Sequence, residues 1–245
     1  AKPAFALVLD AVQGGLDEGA LEEAAKSALP PFAASMFRNA YEAWAYFGVV
    51  EALGPAKFYA VSSPDTEEVH AVPAEEVWAS SQATSPERRI PEAVFETKDG
   101  RVFAMKNEAA RELDYYGVKI ERRRDSSAGG NTAGLVGHRV LLLYRLDAVE
   151  DVAVTVDRQK RVQTPIDLLV EVLEPNDMGY PAYVSRFVER VNAARSRRPV
   201  QVVTFDESGE FPAGLLEDDS VAPIERRTVG FDEGKLADIA RLLND

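Results

Sequence analysis

The spacing of apolar residues changes several times along the chain, and each change predicts an element. Residues 4–13, AFALVLDAVQ, form a short apolar-rich run before Gly14–Gly15, the pattern of a helix with a glycine stop. Asp17 is placed to cap a second helix, LEEAAKSAL, which Pro30–Pro31 ends. Pro31 then opens a third, FAASMFRNAYEAWAYF. Its Phe32, Met36, Tyr41, Trp44 and Phe47 make a broad apolar stripe, too wide for a lone surface helix, with Gly48 as the stop. VVEAL and KFYAVS follow on either side of Gly54–Pro55–Ala56 and read as a two-stranded hairpin.

Residues 64–91 are rich in Pro, Ser, Thr and Glu and read as a connector, with one short helix near Ala74–Ser80. The next signal is sharper. EAVFETK and RVFAMK flank Asp99–Gly100, a preferred two-residue hairpin turn. NEAARELDYYG predicts a helix between Asn107 as N-cap and Gly117 as stop, and VKIERRR a strand after it. Residues 125–137 carry four glycines and no periodicity, so they predict a flexible loop or a long hairpin tip.

HRVLLLYRL and DVAVTVD read as strands around a tight acidic turn. Thr164–Pro165–Ile166–Asp167 opens a predicted helix over IDLLVEVL with a capping-box pattern. Pro181 opens another, with Val184, Phe187, Val188 and Val191 on one face. VQVVTF reads as a buried strand, and Asp232 caps a last helix whose stripe is Leu236, Ile239, Ala240 and Leu243.

Helices come first and mixed strands and helices later, which predicts an α+β class. Three helices and a hairpin within Ala4–Ser63 resemble a winged helix-turn-helix in order, over about a quarter of the chain. The expected organisation is a winged-helix-like domain at 1–63, a connector at 64–91 and a mixed α+β domain at 92–245.

Charge refines this picture. Lys and Arg number 28 and Asp and Glu 41, a net of −13 over the 245 residues. Residues 1–99 carry 7 basic and 16 acidic side chains, and residues 100–245 carry 21 and 25. A protein so acidic is not drawn to nucleic acid by its mean field, although a local patch on the second part could still hold phosphate. The chain has no cysteine, which excludes disulfides, thiolate metal sites and a cysteine nucleophile. No apolar run is long enough to span a bilayer and Ala1–Lys2–Pro3 lacks the order of a signal peptide, so a cytoplasmic protein, or a virion component, is expected.

Several constellations could carry chemistry. In the third helix only Arg38 and Asn39 suit base reading, so packing or protein contact is the expected use of that helix. Asp65, Glu96 and Lys98 imitate the two carboxylates and lysine of a metal-dependent nuclease, but they fall in a loop and beside a hairpin turn. Asp147, Glu150, Asp151 and Asp157 form an acidic cluster more simply read as a polar turn than as a metal site. The histidines, His70 and His138, have no serine nucleophile motif beside them. The glycine loop lacks the Lys and Ser/Thr of a phosphate cradle. No catalytic, cofactor or metal residues are therefore expected.

The strongest local pattern is basic. Lys119, Arg122 and Arg124 lie on one side of the glycine loop, and His138, Arg139 and Arg145 on the other. If the two flanking strands pair, these residues build a positive strip suited to a nucleic-acid backbone or an acidic protein surface. Trp44 and Leu135 are the apolar side chains best placed to anchor a partner. The function these features predict is a non-catalytic assembly or adaptor subunit working through contacts with other protein subunits. It fits a structural component of a viral or phage particle or another large complex. A nucleic-acid-binding regulator using the strip is the alternative, and a metal-dependent nuclease the weaker third reading.

Overall fold

The computed structural model describes residues 37–38, 40–62, 70–73, 93–106, 140–155, 166–173, 177–179, 181–207, 211–212, 214–216, 218 and 220–244. The chain divides into two compact units, residues 1–45 and 46–245. In the first, residues 37–38 and 40–45 are helical. Phe37 stacks on Tyr41 and Tyr41 on Trp44, while Arg38 Nε donates to Glu42 at 3.1 Å one turn on. Burial pushes the Tyr41 phenol up to about 12.

The helical run 40–52 (α1) does not stop at Gly48. Val49–Ala52 are therefore helical and not the first strand of a hairpin; the two helices expected before this one, over 4–13 and 21–29, lie outside the described residues. Tyr41, Ala45, Tyr46, Val49, Val50 and Leu53 are buried, whereas Trp44 is half-buried and Phe47 is 54% exposed, so the stripe through Phe47 is not the packed one. Gly48 is needed for proximity: a Cβ there would lie 2.5 Å from Leu236 Cδ1 of the C-terminal helix. The stop is Gly54, in the left-handed region at φ +69°, whose N–H donates to Glu51 O at 2.9 Å.

Among the described residues the second unit is built on one eight-stranded sheet. Its strands are Pro55–Ser62 (β1), His70–Pro73 (β2), Ala93–Thr97 (β3), Val102–Lys106 (β4), Val140–Leu146 (β5), Leu168–Val172 (β6), Val200–Thr204 (β7) and Ile224–Thr228 (β8). Their order is β2-β1-β3-β4-β5-β6-β7-β8. All pairs are antiparallel up to β6, while β6–β7 and β7–β8 are parallel. The parallel step from β6 to β7 is carried by Pro181–Ala194 (α2), and Glu233–Arg241 (α3) closes the chain. This is an α+β arrangement.

Alternation along the strands separates the two faces. One face presents Val94, Ala104, Leu142, Tyr144, Leu169 and Val202 to a core shared with Tyr183, Phe187 and Val191 of α2. The other carries Phe58, Phe95 and Phe103 in register across β1, β3 and β4, with neighbouring rings 5.8 and 5.5 Å apart. Leu141, Leu143, Leu168, Val170 and Val203 on that face are buried, as are Leu236, Ile239 and Ala240 of α3. Asp232 caps α3 by accepting from Gly234 N at 2.9 Å. Arg101 fastens the other end, donating to Leu243 O at 3.0 Å and Asn244 Oδ1 at 2.8 Å.

Further segments differ from the pattern-based expectation; His70–Pro73, inside the expected connector, is strand β2. LLVEV is strand β6 and not a helix; both its faces are covered, so it shows no polar stripe to set a helical period. Asp167 does not cap a helix but accepts from Arg145 N at 2.6 Å and pairs with Arg197 at 3.2 Å. Val149–Thr155 is a 3-10 helix, so residues 151–155 of the expected strand DVAVTVD are helical, while 156–157 lie outside the described residues; Asp151 holds the helix, its carboxylate accepting from Ala148 N at 3.0 Å. The β3–β4 hairpin is where it was expected, with one more loop residue. Thr97 N donates to Arg101 O at 2.8 Å and Gly100 N to Thr97 O at 2.9 Å, which makes Lys98–Gly100 a three-residue loop with Gly100 at φ +82°.

Two measurements test this packing. Gly48→Ala places a methyl group against a fully buried leucine, and urea unfolding should show a loss of about 1–3 kcal/mol. In the hairpin loop, hydrogen bonds from Arg101 and from Thr97 hold the Asp99 carboxyl down from 3.8 to about 2. The ionised form is favoured by folding, so this contribution to stability is complete above 3.8 and is lost as the pH falls through about 2. A side-chain NMR titration should place the Asp99 midpoint near 2, and a midpoint at 3.8 would contradict the loop geometry.

Candidate interaction edge

Among the described residues the sheet ends at β8, IERRT, a strand with no apolar alternation and with all five residues half-buried. Pro223 starts it extended, and β-branched Ile224 and Thr228 bound it. Two bonds to β7 bracket the strand: Val200 N donates to Pro223 O at 2.8 Å and Val229 N to Thr204 O at 2.9 Å. In a parallel ladder alternate residues turn both backbone groups to the same neighbour. Glu225 and Arg227 therefore address β7, and the N–H and C=O groups of Ile224, Arg226 and Thr228 point away from it. Among the described residues, one donor meets these outward groups: Lys235 Nζ gives a hydrogen bond to Thr228 O at 2.7 Å.

Side chains on the two faces of β8 are treated differently. On one face Glu225 and Arg227 join buried Gln201 of β7 in a closed network. Arg227 donates through Nε to Gln201 Oε1 at 2.6 Å and through a terminal nitrogen to Glu225 Oε2 at 2.7 Å. Gln201 Nε2 donates to Glu225 Oε2 at 3.1 Å and to Pro199 O at 2.9 Å. On the opposite face the Arg226 guanidinium carbon lies 5.9 Å from the Phe211 ring centroid, and its Nε is buried with no hydrogen-bond partner. Beyond the strand, Phe231 is 63% exposed and meets Phe205 edge-on at 5.2 Å.

The residues singled out by sequence fall differently. Lys119, Arg122, Arg124, Leu135, His138 and Arg139 lie outside the described residues, as does Asp65. Arg145 is exposed at the end of the Phe58–Phe95–Phe103 row, opposite Phe103 on the neighbouring strand. Trp44 is half-buried against Tyr41. Glu96 pairs across the strands with exposed Lys57 at 3.2 Å, a contact that raises the pKa of the Lys57 amine, and Lys98 is exposed in the hairpin loop. Among the described residues no group of three His, Asp or Glu is arranged to hold a metal ion, and no helix is long and apolar enough to cross a membrane.

Sequence reasoning missed the polar groups inside the sheet. Lys106 and Glu171 are both fully buried on the α2 face, with β5 between their strands, and Glu171 accepts from Tyr183 Oη at 3.3 Å. A charged residue inside an otherwise apolar strand, as in LLVEV, was the available signal. Gln201 carried none, because one glutamine in VQVVT reads equally well as a solvent-facing position.

The chain matches no protein-family model, and comparison with curated proteins and with solved structures yields no match.

Gln201→Leu removes a partner from Pro199 O, Arg227 and Glu225 at once while keeping the buried volume. The groups left behind are only part-buried and can turn to water, so a thermal or urea unfolding series should show a loss of about 1 kcal/mol, with β8 loosened first.

Proposed function

We propose that this chain is a non-catalytic assembly or adaptor subunit that acts through contacts with other protein subunits. The observation that carries the reading is the end of the sheet. β8 turns the backbone groups of three residues outward, and Ile224 and Arg226 meet no partner among the described residues. An uncovered strand edge is a template for another strand, and adding one supplies main-chain hydrogen bonds at once. Exposed Phe231, three residues beyond β8, is an apolar side chain such a partner could cover.

The acidic first part of the chain and the more basic second part add a means of orienting such contacts, since charge asymmetry steers association more than it strengthens it. The proposed partners are further subunits, identical or different, in a larger complex. Static light scattering over a hundredfold range of concentration, together with native sizing in a lysate of the source cells, tests the reading. A mass above that of one chain in either setting is expected. A strict monomer in both would overturn it.

A further inference from the structure

We infer that the partner of β8 is the β8 strand of a second copy of this chain, paired antiparallel about a two-fold axis through Arg226. This deepens the assembly reading and rests on it. The inference starts from backbone parity. The outward-facing residues are Ile224, Arg226 and Thr228, and in an antiparallel pair hydrogen-bonded positions must face each other. Two identical strands then pair in only a few registers, centred on Glu225, Arg226 or Arg227.

Charge separates these registers. Centring on Glu225 sets that carboxylate against its own copy, and centring on Arg227 does the same with two guanidinium groups. Centring on Arg226 places Glu225 opposite Arg227 of the second copy, and Arg227 opposite its Glu225, on one face. Opposite charges directly across strands stabilise a pair and like charges oppose it. The same register sets Ile224 against Thr228 in the hydrogen-bonded positions. Thr228 O already accepts from Lys235, but a carbonyl has two lone pairs and can accept from an incoming Ile224 N–H as well.

The one like-charge meeting is Arg226 with itself, on the other face. Each of these guanidinium groups is drawn over the Phe211 ring of its own chain. The two complementary contacts extend a network already fixed by Gln201, so the side chains that meet are held in place before association. The product is a continuous sheet of sixteen strands, eight from each copy, with a closed two-fold interface and no further growth at β8.

Charge reversal separates this pairing from the contacts within one chain. Glu225→Arg alone and Arg227→Glu alone each set like charges across the interface, and each should weaken self-association at least tenfold by analytical ultracentrifugation. Mixing the two variants restores both opposite pairs between chains and neither within a chain. The mixture should form a heterodimer that native mass spectrometry resolves from either homodimer. Arg226→Pro is a backbone control: it removes an N–H that faces away from β7, so circular dichroism should be unchanged while the dimer is lost. A wild-type dimer with no recovery in the mixture, or one that survives Arg226→Pro, overturns the β8 pairing and leaves the assembly reading standing. A chain that is monomeric both alone and in lysate removes both.

Discussion

Everything in the second unit depends on one ladder of backbone hydrogen bonds. Six of the eight strands have neighbours on both sides, so their N–H and C=O groups are met within the sheet and their side chains can be apolar on both faces. β4, β6 and β7 are buried along their whole length, and β5 is buried except at Arg145. Such strands need cover on two sides. α2 supplies part of it on one face, and on the other the close approach of Gly48 to Leu236 joins α1 to α3.

The ladder also decides where polarity can go. Inside the sheet each polar side chain must find a partner, as Glu171 does in Tyr183 and Gln201 in Arg227, Glu225 and Pro199. At the margin the constraint relaxes. β8 carries Glu225, Arg226 and Arg227 in succession, a composition no central strand could hold. Charges on an edge strand discourage indiscriminate pairing, and in a defined register they select one partner.

What was legible in the sequence follows from these two regimes. α2 after Pro181 and α3 after Asp232 each carry a local start and a one-sided apolar stripe, the β3–β4 hairpin carries Asp99–Gly100 at its turn, and β7 is a short β-branched run set off by Pro199, so position and type could both be read. β6 could not, because a strand covered on both faces shows an apolar run with no period, and Thr164–Pro165 before it imitated a helix start. α1 was cut short in the reading because Gly48 looks like a stop when its true use, room for Leu236, comes from a residue 188 positions away. β8 was missed for the opposite reason to β6: its alternation is polar on polar. Of the expected basic strip only Arg145 falls among the described residues, while the open edge comes from backbone direction, which residue identities do not encode.

Residue-resolved amide exchange along β8 tests the central claim most directly. At low protein concentration the amides of Glu225, Arg227 and Val229, which face β7, should exchange slowly, and those of Ile224, Arg226 and Thr228 fast, in strict alternation. At high concentration the outward three should become protected as well. Uniform protection of all six in a sample that sedimentation shows to be monomeric would show that the edge is already covered within one chain, and the account of β8 as an interaction edge would be wrong.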